Sequence, residues 1–267
     1  MRVSVDHRTR YRFTTPQDRL IQMLRLTPQD STDQTVVNWH IGVDCDARLR
    51  DARDGFGNRV TMLYAAGPID GIEITVRGEV LTAGDDGLVR GVAEPLPPAL
   101  FVRATDRTGV SLAMREFAGD LVGQGRDRLE ALNSALHDRF ALCEARNDTG
   151  LSAEQAFQRD QACPRDFAHM LIAMARADGV PARYVSGYHT QDDGEGHAPH
   201  AWAEAHVEGL GWIAFDPSRG VAADAHYIRV AVALDAAGAA PVAGTRMGKG
   251  REELDVDVQV EAIPGDA

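Results

Sequence analysis

The sequence predicts an α+β fold: an antiparallel β-domain, then a core in which a helix packs on an antiparallel sheet. Three observations carry this. Alternation of period two dominates residues 1–100. Helical periodicity takes over after the proline-rich stretch AEPLPPALF at 93–101, which is the natural boundary between a region 1–100 and a region 101–267. Strand patterns return after Pro181.

The elements follow in order. Val3, Val5, His7, Thr9, Tyr11 and Phe13 alternate along a first strand, and Val37, Trp39, Ile41 and Val43 along a second. DGFGN at 54–58 is a turn signal before RVTMLYAAG, and Ile72, Ile74 and Val76 mark a further strand that Gly78 interrupts. Ser111 is the expected N-cap of a helix in SLAMREFAGDLV. Leu129, Leu132, Leu136 and Phe140 share one face of another. Residues 143–160 read as a polar loop. Pro164 suits the first turn of a third helix, because its missing N–H has no partner there in any case. Phe167, Met170, Leu171 and Met174 form its apolar stripe, and Gly179 with Pro181 ends it. ARYVSGYHT, HAWAEAHVEG and GWIAFDP read as strands, 236–250 as loop, and the alternation Leu254, Val256, Val258, Val260 as a last strand.

The composition narrows the function. With 28 Lys+Arg against 40 Asp+Glu the chain carries a net charge of −12, a field that repels polyanions and argues against nucleic-acid binding. No stretch approaches the ~20 apolar residues of a membrane span, and the first twenty residues lack the apolar run of a secretory signal. A cytoplasmic protein is therefore expected. Cys45, Cys143 and Cys163 have no CxxC spacing, which fits a reducing compartment and gives no zinc motif. His189, His197, His200 and His206 lack the HExxH spacing, so no metal site is expected from them.

Cys163 is the sharpest feature. As the residue before Pro164 it is the expected N-cap, where unpaired N–H groups and the helix dipole favour a thiolate. Alone, such a cysteine reads as a small buried apolar residue. His200 opens one apparent strand and Asp216 closes the next, across the hairpin-like EGLGW. The two therefore meet at one end of a sheet, where a carboxylate can orient an imidazole. Asp216 before Pro217 also reads as a turn starter. Trp202, two residues after His200, shares its face and serves as a core aromatic or a shield for the imidazole. Asp166 and His169 are three apart on the helix, a local polar pair.

Together, CPRDFAHMLIAMARADGVPARYVSGYH and HAWAEAHVEGLGWIAFDPS resemble the transglutaminase-like superfamily of papain-related cysteine enzymes. The resemblance is to its bacterial branch, often called cysteine proteases. LRLTPQ, DGFGN and the first third resemble that branch's β-rich N-terminal region. The resemblance implies Cys163 as nucleophile, His200 as general base and acid, and Asp216 as orienting carboxylate. It implies a thioester acyl-enzyme formed from an amide of a peptide or protein substrate, without metal or organic cofactor. An inactive peptide- or protein-binding core is the rival expectation. Gln161 stands where the family has glycine and is a candidate oxyanion amide. The spacing from Cys163 to Gly179 is one longer than the family's, and Ala233, Leu234 and Ala236 replace the usual neighbours of Asp235.

Overall fold

The computed structural model describes residues 1–143, 150–190 and 199–263. The first sheet is built on two very long strands, β1 (Arg2–Leu24) and β4 (Arg59–Thr82), which run antiparallel. Alternation explains β1: Val3, Val5, His7 and Thr9 are all buried on one face. The segments 59–67 and 72–82, separate in the sequence reading, are one strand in β4. Gly78 interrupts the apolar pattern because a Cβ there would lie 2.3 Å from the Trp39 ring. Strands β2 (Gln34–Val43) and β3 (Ala47–Arg53) both pair with β4; β3, rich in arginine, is not evident in the sequence.

The helices are α1 (Leu112–Gly119), α2 (Gly125–Arg139), α3 (Ala153–Phe157) and α4 (Pro164–Ala177). Ser111 caps α1 by accepting the Met114 N–H, as its position predicts. The expected loop 143–160 instead contains α3, started by a capping box between Ser152 and Gln155. Two short strands, β5 (Ala141–Leu142) and β6 (Gln161–Ala162), pair in parallel just before α4.

The second sheet comprises β7 (Ala182–His189), β8 (His200–Val207), β9 (Gly211–Asp216), β10 (Val221–Ala222) and β11 (Tyr227–Ala233), in the order β10-β9-β8-β7-β11. Helix α4 packs on one face, against Ala201, Ala203 and Ala205 of β8; these small side chains let it approach closely. By alternation His200, Trp202 and Glu204 take the opposite face.

The last strands correct the sequence reading. β12 (Val242–Met247) lies inside the expected loop 236–250, and β12 and β13 (Glu252–Ile263) both pair with β1. Residues 242–263 thus complete the first sheet, although a division at residue 100 assigns them to the second region. Period-two alternation reveals a half-buried strand but not which sheet takes it. Val3, Val5, Val80, Val258 and Val260 then pack against Tyr188, Ile228 and Val230, joining the two sheets. His7 lies in this seam with Nδ1 2.9 Å from the Tyr188 hydroxyl and Nε2 3.0 Å from Thr9 Oγ1. Burial lowers its pKa to about 4. Among the described residues, no helix is long and apolar enough to cross a membrane.

Candidate active site

Cys163 is the N-cap of α4, in extended conformation (φ −90°, ψ 165°), and its carbonyl accepts the Asp166 and Phe167 N–H groups at 2.8 and 3.1 Å. Pro164 follows as the first helical residue. The position is the expected one, but the electrostatics are not. Burial pushes the thiol up to about 11, and the Asp166 carboxylate adds to the shift while Arg165 opposes it. Desolvation disfavours the charged form, and here it outweighs the helix end. At neutral pH Cys163 is therefore a thiol. Arg165 and Asp166 form an ion pair at 3.0 Å beside it, so Asp166 binds Arg165 and not His169, its expected partner. His169 Nε2 accepts the Ala236 N–H at 3.0 Å, and burial lowers its pKa to about 4.

The β8–β9 hairpin brings His200 and Asp216 together. Its register pairs Ala203 with Phe215, so Asp216 sits across from Trp202 and diagonal to His200 on the same face. Asp216 Oδ2 lies 2.6 Å from His200 Nε2 and accepts the Tyr227 hydroxyl at 2.8 Å. Oδ1 accepts the Ser218 N–H at 3.0 Å and the Ser218 hydroxyl at 2.6 Å. Asp216 therefore starts the Asp-Pro-Ser turn and also holds the imidazole. Burial would raise its pKa, but the His200 charge and the hydrogen bonds from His200, Ser218 and Tyr227 outweigh it and bring the carboxyl down to about 2. It is a fixed anion with no exposed surface.

Aromatic rings enclose this pair. Trp202 is buried, stacks on His200 with centroids 6.2 Å apart, and meets Tyr227 edge-on at 5.3 Å. His189, whose pKa is lowered to about 3 chiefly by burial, packs 5.3 Å from His200 and 4.5 Å from Tyr227. His206 lies at the other end of β8 against Trp212, and His197 falls outside the described residues. Gln161 is exposed on β6, paired with Ala141; among the described residues its side chain makes no hydrogen bond. Cys163 heads the helix that covers one face of β8, while His200 at the start of β8 and Asp216 at the end of β9 meet on the other face; among the described residues no hydrogen bond joins Cys163 to His200.

Sequence reasoning missed Ser218 and Tyr227. Ser218 had a local signal, since a residue two after Asp is where an Asx turn returns its N–H. Tyr227 had none, because it reaches Asp216 from β11, on the far side of β7 in the sheet order.

Comparison with known proteins agrees with this architecture. Residues 3–81 match the bacterial transglutaminase-like N-terminal region, and residues 115–217 match the transglutaminase-like superfamily core. An uncharacterized protein of Mycobacterium leprae (strain TN) is 28% identical over 279 residues, covering 98% of this chain and 99% of that one. An uncharacterized protein of Mycobacterium tuberculosis (strain ATCC 25618 / H37Rv) is 27% identical over 308 residues, covering 100% of this chain and 94% of that one. The crystal structure of a putative cysteine protease from Cytophaga hutchinsonii superposes with a TM-score of 0.79 at 20% identity, over 100% of this chain and 92% of that one, a likeness of fold. With a β-rich sheet, a helix headed by Cys163 and a hairpin joining His200 to Asp216, the chain belongs to the transglutaminase-like superfamily, in its bacterial form with the N-terminal region.

Proposed function

We propose that the protein is a cysteine-dependent enzyme that cleaves or transfers amide bonds of peptides or proteins, with Cys163 as nucleophile, His200 as general base and acid, and Asp216 as orienting carboxylate. The observation that carries the reading is the buried Asp216 anion bound to His200 Nε2 at 2.6 Å, on the sheet covered by the helix that Cys163 heads. Such a carboxylate fixes the imidazole and stabilises its cation.

The high thiol pKa favours proton transfer in step with attack. At pH 7 a group at about 11 is ionised to roughly one part in ten thousand, since 11 − 7 spans four decades. His200 therefore takes the thiol proton as sulfur attacks the amide carbonyl. A C–S bond forms, the C–N bond breaks, and His200 returns the proton to the departing amine. Water, or an acceptor amine, then attacks the thioester and restores the thiol. Trp202 shields the imidazole from water, and Gln161 is the candidate amide for the oxyanion.

The same buried thiol favours a second reading, an inactive core that binds peptides. A peptide-library digest, read by mass spectrometry for cleavage, deamidation and transfer, separates the two. The enzyme reading expects products that disappear with Cys163→Ala while the fold is retained; products that persist with Cys163→Ala contradict it.

A further inference from the structure

We propose that Tyr227 is a positioning residue for the His200–Asp216 pair, and that the N-terminal sheet holds Tyr227 in place through two side chains that clasp β11 and a third that binds the chain just before it. The inference rests on the catalytic reading only for its consequence in turnover.

Strand β11 is the outer strand of the second sheet, paired on one side with β7. An open strand edge exposes peptide groups that need partners. Here they are met by carboxamides. Gln34 accepts the Arg229 N–H at 2.8 Å and donates to the Arg229 carbonyl at 3.0 Å. Asn58 accepts the Val232 N–H at 2.8 Å and donates to the Val232 carbonyl at 2.8 Å. Each amide thus mimics one residue of a partner strand. Outward-facing peptide groups ordinarily recur every second residue. Arg229 and Val232 are three apart because Val230 is an extra residue, a bulge between the Arg229–Gly187 and Ala231–Ser186 pairs. The Thr82 hydroxyl donates to the Ala225 carbonyl, so Tyr227 is bracketed by fixed points on both sides.

Gln34, Asn58 and Thr82 are all buried, and all come from the first sheet or the DGFGN turn. Asp54 of that turn locks Asn58 by accepting its N–H at 3.1 Å and its side-chain amide at 3.0 Å. Tyr227 in turn donates to Asp216 Oδ2, the same oxygen that holds His200. A contiguous path therefore runs from the N-terminal region to the imidazole.

The test uses the full chain labelled with 15N histidine, following the His200 ring N–H resonance at neutral pH beside kcat and KM. In Tyr227→Phe, Asp216 Oδ2 loses one donor and its bond to His200 strengthens. The N–H signal moves downfield, and kcat falls about tenfold with KM unchanged. Gln34→Glu, which turns a donor into an acceptor against the Arg229 carbonyl, moves the signal as well, but not when Tyr227→Phe is already present. Thr82→Val, a milder change, repeats this if Gln34→Glu fails to fold. A His200 signal that stays put in Tyr227→Phe overturns the proposal, as do additive shifts in the double variant. If the signal moves as expected while wild-type Cys163 forms no acyl-enzyme, the positioning role stands and the enzyme reading falls.

Discussion

The two halves of the site treat a buried carboxylate in opposite ways. On the sheet, Asp216 accepts hydrogen bonds from His200, Tyr227 and both the backbone and hydroxyl of Ser218, and its charge supports the imidazole. On the helix, Asp166 is paired with Arg165, yet its charge still adds to the burial that raises the pKa of the thiol beside it. One carboxylate is an anion that orients an imidazole, and the other holds a buried thiol in its protonated form. Under the proposed function the imidazole is set in advance, and sulfur becomes nucleophilic as its proton leaves.

The largest effect is expected from Asp216→Asn. It keeps the shape but removes the anion, and turnover is expected to fall by about 10³–10⁴, as when a triad aspartate is made neutral. Thermal unfolding should still be cooperative, which separates lost chemistry from a lost fold. Next is Glu204→Gln, on the His200 face of β8. Glu204 is fully buried between Arg183 and Arg229, at 2.6 and 2.7 Å. Arg183 also binds Glu94 and lies over the Trp212 ring. Removing the one carboxylate that both arginines share should cost about 3–5 kcal/mol of stability, measured by urea unfolding.

A third effect is pH dependence. His7 and His169 are held near 4 by burial, below their ordinary value of 6.5. Between those values the unfolded chain takes up protons that the folded chain refuses. The contribution of these two histidines is therefore flat above about pH 7, and stability falls by a few kcal/mol, to order of magnitude, as pH drops from about 6.5 to 4. Asp216 and Glu204, both lowered to about 2, extend the loss below pH 4. His7→Gln should flatten the decline between pH 6.5 and 4 in chemical unfolding; an unchanged slope would contradict the buried neutral imidazole.

Asp166→Asn sharpens the contrast from the other side. Removing the negative charge lowers the thiol pKa, while burial, the larger cause, remains. Alkylation of Cys163 at pH 8 should accelerate several-fold, toward about tenfold if the pKa falls by one unit. Slower alkylation would mean that Asp166 does not restrain the thiol. The smallest effect is at α3, where Ser152→Ala removes the capping box and should cost about 1 kcal/mol by thermal unfolding.

The legible parts of this protein are those written locally. Cys163-Pro164 announces a helix start, Gly179 its end, and the spacing of His200 and Asp216 around a tight hairpin places them on one face. The capping residues Ser152 and Gln155 were also there to be read, but the polar composition of 143–160 suggested a loop. Tyr227, Gln34 and Asn58 were not legible, because their partners are fixed by sheet order and by a bulge, which no local pattern encodes. The thiol pKa departs from the sequence expectation for a related reason: the helix dipole can be inferred from sequence, whereas depth of burial depends on everything packed around the residue.

If His200 activates Cys163, the thiol reacts faster when the imidazole is present. The direct measurement is the rate of Cys163 acetylation by p-nitrophenyl acetate at pH 7, resolved by mass spectrometry, in the wild type and in His200→Ala. Because an unassisted thiol near 11 is ionised only to about one part in ten thousand, the uncatalysed background is low. A thioester at Cys163 is expected to form at least about 100-fold faster with His200 than without it. Equal rates in the two proteins would overturn activation by His200.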